Sequence, residues 1–207
     1  MIRDEQIASK QVVRLMGGGA LALLLGALGF QYFAHLAPCE MCHWQRWPYI
    51  AAAFGAFVAV PLWNKSRGLA VGLILLAAVG GLILAHGWDM LTGWQPIVLS
   101  IVIIALLLTP VWNKSSRTLS ATLIALVALS GLIGAYQAGL QWGFLPGPGA
   151  CTVAHAYVLG SGAPPPAVSC NTVTWSLFGL SLAGYNALIS LAIAGAGFFL
   201  LRRDNAA

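Results

Sequence analysis

At 207 residues the chain has the length of one or two soluble domains. Yet only 7% of its residues are charged and 59% are apolar, where a soluble domain carries roughly 25% charged residues. That composition excludes an ordinary water-facing globule and points to spans of about 20 apolar residues each. The net charge of +5 involves no run of Lys and Arg interleaved with aromatics, so no nucleic-acid partner is expected.

Arg3, Lys10 and Arg14 precede an apolar run over 15–37. It exceeds the roughly 7–15 residues of a signal-peptide core, and no small-x-small cleavage site follows. Leu36-Ala37-Pro38-Cys39 resembles a lipoprotein cleavage box, but proline before the cysteine spoils it. An uncleaved first span is the expectation.

Six segments read as transmembrane helices: residues 15–36, 47–63, 69–88, 94–112, 119–142 and 175–201. Helices are required because unpaired backbone groups are too costly in hydrocarbon. A barrel would show alternating rather than continuous apolar runs. The expected fold is an all-α membrane protein, a single integral membrane domain over residues 1–207.

Basic residues set the orientation. Arg3, Lys10, Arg14, Lys65, Arg67, Lys114, Arg117, Arg202 and Arg203 all fall on one side of six spans, nine of the ten in the chain. By the positive-inside rule that side is the cytoplasm, with both termini. The tenth, Arg46, lies on the opposite face and needs its own reason to be there. All eight tryptophans fall at span ends, as an interfacial belt requires, and contact with membrane lipid follows.

Pro61-Leu-Trp-Asn-Lys-Ser-Arg67 is echoed by Pro110-Val-Trp-Asn-Lys-Ser-Ser-Arg117. Spans two–three and four–five thus read as duplicated hairpins, although short turns converging on the same residues would look alike. Asn64 and Asn113 match the glycosylation pattern but sit on the cytoplasmic side as turn residues.

The four cysteines all fall on the outer face: Cys39 and Cys42 after span one, Cys151 and Cys170 between spans five and six. Thiols there can pair. Of three possible pairings, the C-x-x-C pair and the loop pair are the natural ones. A zinc site would use all four cysteines, with His43 or His155, but structural zinc prefers two tight knuckles. Here residues 152–169, including Pro164-Pro165-Pro166, separate the second pair. A purely structural Cys39–Cys42 staple would close too short a loop to stabilise much.

The redox reading has a physical basis, because exchange needs a thiolate. The pair is expected just ahead of a helix starting near Pro48, proline being tolerated at a first helical position. A helix N-terminus favours negative charge, and Arg46 adds a full positive one, so both lower a thiol pKa. The plainer role for Arg46 is snorkelling to phosphate headgroups.

At these residues the chain resembles the disulfide-bond-formation protein B (DsbB) family. The first matching stretch is Pro38-Cys39-Glu-Met-Cys42-His-Trp-Gln-Arg46-Trp-Pro48. The second is Gly134-Ala-Tyr136-Gln-Ala-Gly-Leu-Gln-Trp-Gly-Phe-Leu-Pro-Gly-Pro-Gly-Ala-Cys151, and the third Trp175-Ser-Leu-Phe-Gly-Leu-Ser-Leu-Ala-Gly-Tyr-Asn186. The resemblance implies a quinone-dependent thiol oxidase of the bacterial inner membrane, with ubiquinone or menaquinone as cofactor. It implies a periplasmic thioredoxin-like (DsbA-like) partner oxidised by a Cys151–Cys170 disulfide, with Cys151 in the mixed disulfide. Electrons then pass by exchange to Cys39. Cys42 engages the quinone as thiolate, with Arg46 polarising a ring oxygen.

Two departures stand out. The family usually has four spans, so the expected fold is a four-helix-bundle core plus one inserted hairpin at about residues 87–118. The first motif region then covers 12–63, the loop with the second cysteine pair 143–174, and the last span 175–201. Many relatives carry His after the tyrosine of the second motif, where this chain has Gln137; it can donate a hydrogen bond to quinone but cannot carry a proton charge. His86 occupies nearly the matching place in the earlier hairpin and is a candidate substitute, against the plainer reading of a helix-end His. A vitamin K epoxide reductase-like enzyme would carry its C-x-x-C late rather than first. A non-enzymatic scaffold would hold disulfides that do not exchange.

Overall fold

The structure is a computed structural model describing residues 2–59, 97–98, 100–106, 116–148 and 168–203. Its helices are α1 (Ile2–Tyr32), α2 (Glu40–Phe54), α3 (Ser116–Gln141) and α4 (Leu182–Arg203), with a π-helical turn at Gly55–Ala59 after α2. Residues 97–98 and 100–106 are also helical. A short antiparallel hairpin, β1 (Ser176–Leu177) and β2 (Leu180–Ser181), leads into α4.

Among the described residues, three stretches are long and apolar enough to cross a membrane: Ser9–Tyr32, Arg117–Gln141 and Leu182–Arg203. They correspond to the first, fifth and last expected spans. The expected span at 69–88 lies outside the described residues, and those at 47–63 and 94–112 are described only in part. The outward faces of α1 and α4 are apolar, with Leu25, Leu188 and Phe199 well exposed, as lipid contact demands. Arg202 and Arg203 close the last turn of α4, where cations suit the helix dipole.

Three element starts differ from expectation by more than a turn, α1 already running from Ile2 rather than from residue 15. α2 begins at Glu40, eight residues before Pro48, with Cys39 as N-cap. Its sulfur accepts the Cys42 N–H at 3.2 Å, satisfying one of the donors that a helix start leaves open. Pro48 therefore lies inside the helix. α4 begins at Leu182 rather than 175, because Phe178 and Gly179 both take positive φ and turn the chain into the hairpin. A left-handed pair of this kind is the geometry of a tight hairpin turn.

α1 packs against α2, α3 and α4, and α3 packs against α2 and α4. The main core joins Val12, Met16 and Ala20 of α1, Tyr49 and Ala52 of α2, Leu123, Leu126 and Val127 of α3, and Ala194 of α4. Ile103, within the expected inserted hairpin, is buried in that same core. Close approach depends on small residues. A Cβ on Gly17 would fall 2.4 Å from Ala56 Cβ, and one on Gly19 would meet Ile193 at 3.1 Å. The Gly17-Gly18-Gly19 run thus serves packing within the chain at two of its positions.

Candidate redox site

The site is built where the start of α2 meets the ends of α1 and α3 and the start of α4. Cys39 and Cys42 are joined as a disulfide, with Cα atoms 5.1 Å apart. With the helix starting at Glu40, both cysteines belong to its N-terminal turn, where partial positive charge favours a sulfur anion. Cys39 is buried and Cys42 partly so.

Cys170 is disulfide-bonded and fully buried, in one apolar cluster with Cys39, Met41, Trp44 and Leu140. Cys42 packs against the same cluster. The structure therefore brings a loop cysteine and the C-x-x-C pair together. Cys151 and His86 lie outside the described residues.

Gln137 is only 2% exposed. Its Nε2 lies 3.0 Å from Cys39 Sγ and 3.6 Å from Cys42 Sγ. Cys42 Sγ is 3.9 Å from Gln137 Oε1, a contact to which a reduced thiol can donate and a disulfide sulfur cannot. Arg46 donates through Nη1 to Gln31 Oε1 on α1. Its Nε is buried and has no partner among the described residues.

Residues 40–46 precede the expected span, so their ionisation follows from a partly wetted setting. Burial pulls the Arg46 guanidinium down from its usual value while Tyr32 pushes it up; arginine stays charged regardless. Burial first, and the Arg46 charge second, hold the His43 imidazole below its usual value. At neutral pH His43 is therefore uncharged and Arg46 is the local cation.

Cys39, Cys42, Arg46 and Gln137 all line one cavity of about 350 Å³. Apolar side chains of α1 and α4, including Leu23, Ala27 and Ile189, form part of its wall. Phe30, Trp175 and Tyr185 add an aromatic side, with ring centroids 5.2 and 5.9 Å apart along the series. An apolar pocket with a few convergent polar groups is the usual form of a cofactor site. The donor set fits a planar ring bearing carbonyl oxygens, because the unpartnered Arg46 Nε is a buried donor lacking an acceptor.

Gln45, Tyr49 and Asn186 also line the cavity; the sequence assigns them no role, although Gln45 and Asn186 stand within the first and third matching stretches. The available signal was a polar side chain in or beside an apolar span, which marks function by default.

The family model described as Disulfide bond formation protein DsbB matches residues 9–100 and 93–200. Disulfide bond formation protein B of Chromohalobacter salexigens is 41% identical over 80 residues, 36% of this chain and 46% of that protein. Disulfide bond formation protein B 1 of Burkholderia lata is 39% identical over 74 residues, 35% of this chain and 43% of that protein. Disulfide bond formation protein B 1 of Pseudomonas entomophila is 38% identical over 72 residues, 34% and 43% of the two chains. The chain thus spans less than half the length of these curated relatives. No solved structure matches it. With the family model matched along nearly its whole length, the chain belongs to the DsbB family of membrane disulfide bond formation proteins.

Proposed function

We propose that the protein is a quinone-dependent membrane thiol oxidase that reoxidises a periplasmic thioredoxin-like dithiol protein. The observation that carries this reading is the meeting of the Cys39–Cys42 disulfide, Arg46 and Gln137 at one apolar cavity, with Cys170 in the adjoining cluster. A quinone, when bound, supplies an acceptor for two electrons and two protons. The chain's own residues do the rest.

Cys151 and Cys170 take two electrons from the partner's dithiol by thiol–disulfide exchange, with Cys151 in the mixed disulfide. A reduced loop thiolate then attacks Cys39, its S–S bond to Cys42 breaks, and Cys42 leaves as thiolate. Arg46 holds a carbonyl oxygen and offsets the charge that develops on it. Gln137 donates to the sulfurs, and His43, being neutral, leaves the Arg46 charge to act alone. Apolar walls from α1 and α4 keep water from the exchange. The cysteines lie on the periplasmic side and both termini in the cytoplasm of a bacterial inner membrane. The proposed fold is a four-helix-bundle core with an inserted hairpin over about 87–118. His86 is proposed as a second donor to the quinone; a His86→Ala variant with unchanged quinone reduction would discard that role.

The test is quinone reduction by purified protein supplied with a reduced thioredoxin-like dithiol. Turnover is expected to vanish with Cys42→Ser and weaken with Arg46→Ala. No turnover with ubiquinone or menaquinone, in folded protein with both disulfides intact, would instead favour a scaffold whose disulfides do not exchange.

A further inference from the structure

A string of hydrogen bonds crosses three helices and ends on the disulfide. Tyr49 Oη on α2 donates to Asn186 Oδ1 on α4. Asn186 Nδ2 donates to Gln45 Oε1 at 2.7 Å. Gln45 Nε2 donates to Gln137 Oε1 on α3, and Gln137 Nε2 donates to Cys39 Sγ at 3.0 Å. Every link donates towards the sulfur.

Both ends fix that sense. A bonded or ionised sulfur carries no hydrogen and can only accept. At the far end, Asn186 Nδ2 faces the backbone carbonyl of Ser130 at 3.5 Å, and a carbonyl too can only accept. Turning the amides over would set oxygen against oxygen at Ser130 and oxygen against sulfur at Cys39. Gln45 and Gln137 are both buried, so water does not compete for these bonds. Cys39 Sγ also accepts the Cys42 N–H, which gives this sulfur two donors.

We infer that Gln137, backed in series by Gln45, Asn186 and Tyr49, stabilises the Cys39 sulfur as a thiolate whenever the pair is reduced, the last three acting as positioning residues for the thiol chemistry. The inference rests on the reading that Cys39 and Cys42 cycle between dithiol and disulfide. Reoxidation removes both thiol protons, forms the Sγ–Sγ bond and sends two electrons and two protons to the quinone. Cys39 must be a thiolate when that bond closes. Hydrogen bonds aligned in series polarise one another in a low-dielectric interior, and the last donor in such a series is the strongest towards an anion. The string does this without a formal charge, and so leaves the Arg46 charge unneutralised. The other ionisable groups around the pair are Glu40, His43 and Arg46 on α2, Tyr32 at the end of α1, Tyr185 on α4 and the bonded Cys170.

The experiment is the pH dependence of Cys39 alkylation by iodoacetamide in the reduced full-length protein, resolved from Cys42 by peptide mass. Gln137→Met is expected to raise the Cys39 pKa by about one unit or more, a tenfold loss of thiolate well below that pKa. Gln45→Met, which never touches the sulfur, is expected to lower thiolate about two- to fourfold. Asn186→Leu and Tyr49→Phe should follow in decreasing order. Tyr49→Phe removes one hydroxyl only and keeps the test open where a larger change disrupts folding. An unchanged Cys39 pKa in Gln45→Met and Tyr49→Phe would overturn the inference, as would an equal shift in all four variants. Titration needs no quinone: graded shifts without quinone turnover would discard the oxidase reading and leave the string standing.

Discussion

The two ends of the helix assembly are made of different material. Around Met16, Leu123, Leu126 and Val127 the packing is apolar, and the buried polar groups on the same stretches of α1 and α3 are the small hydroxyls of Ser9, Ser120 and Thr122, with Ser9 and Ser120 bonded to each other. Around Cys39 stand the sulfurs of Cys42 and Cys170, and two buried glutamines and a partly buried asparagine are linked in series to the Cys39 sulfur. Burying polar groups is costly unless each is paired. The first end can be optimised for packing alone, whereas the second carries polar atoms that a purely structural core would omit. Stability and chemistry are thus spatially separated, and substitutions should sort by end.

The largest expected effect is at the polar end. Cys42→Ser should abolish quinone reduction while leaving melting behaviour close to that of the parent, since Cys42 is only partly buried. A large drop in thermal stability would break the separation. At the apolar end, Leu126→Ala should cost about 2–5 kcal/mol of stability, measured by thermal or denaturant unfolding in detergent. Activity per folded molecule should be unchanged, because Leu126 belongs to the core and not to the cavity wall. Smaller again is Arg46→Ala. Removing one charged donor is expected to lower quinone turnover about 10- to 100-fold, and Arg46→Lys should recover part of it, as lysine keeps the charge but not the Nε donor. Full activity in Arg46→Ala would return this residue to headgroup contact.

Much of this division was legible in the sequence. The C-x-x-C pair, Arg46 and the basic residues at span ends are short-range signals, and α3 (Ser116–Gln141) agrees with the 119–142 expectation to within three residues. The start of α2 was not legible, because Pro48 looks like a first helical residue while the cap is a cysteine, outside the usual capping set. The start of α4 was hidden because residues 175–181 are apolar enough to extend a span, and only the Phe178–Gly179 turn separates them. The donor string was invisible for another reason. Gln45, Gln137 and Asn186 stand on three helices, and whether their amides meet depends on helix rotation, which no local pattern encodes. Gln137 was noticed as a missing imidazole; in the structure it reaches the sulfurs as a neutral donor instead.

The smallest expected effect tests the boundary between the two ends. His43 is held below its usual pKa by burial and by Arg46, so the folded protein binds this proton less readily than the unfolded chain. Unfolding therefore takes up a proton in the window between the lowered folded value and the usual value near 6.5. Above that window the imidazole is neutral in both states and imposes no penalty. As pH falls through it, stability declines, and it levels off once the folded form is protonated too. His43→Gln should flatten this part of the stability profile below the usual value of 6.5 and leave the profile above neutrality untouched. The same variant should leave turnover at pH 7.5 near that of the parent, because the neutral imidazole supplies no charge there. A variant that lost turnover at pH 7.5 while keeping its acid profile would show His43 working on Cys42 directly, and would extend the chemical end of the molecule by one more side chain.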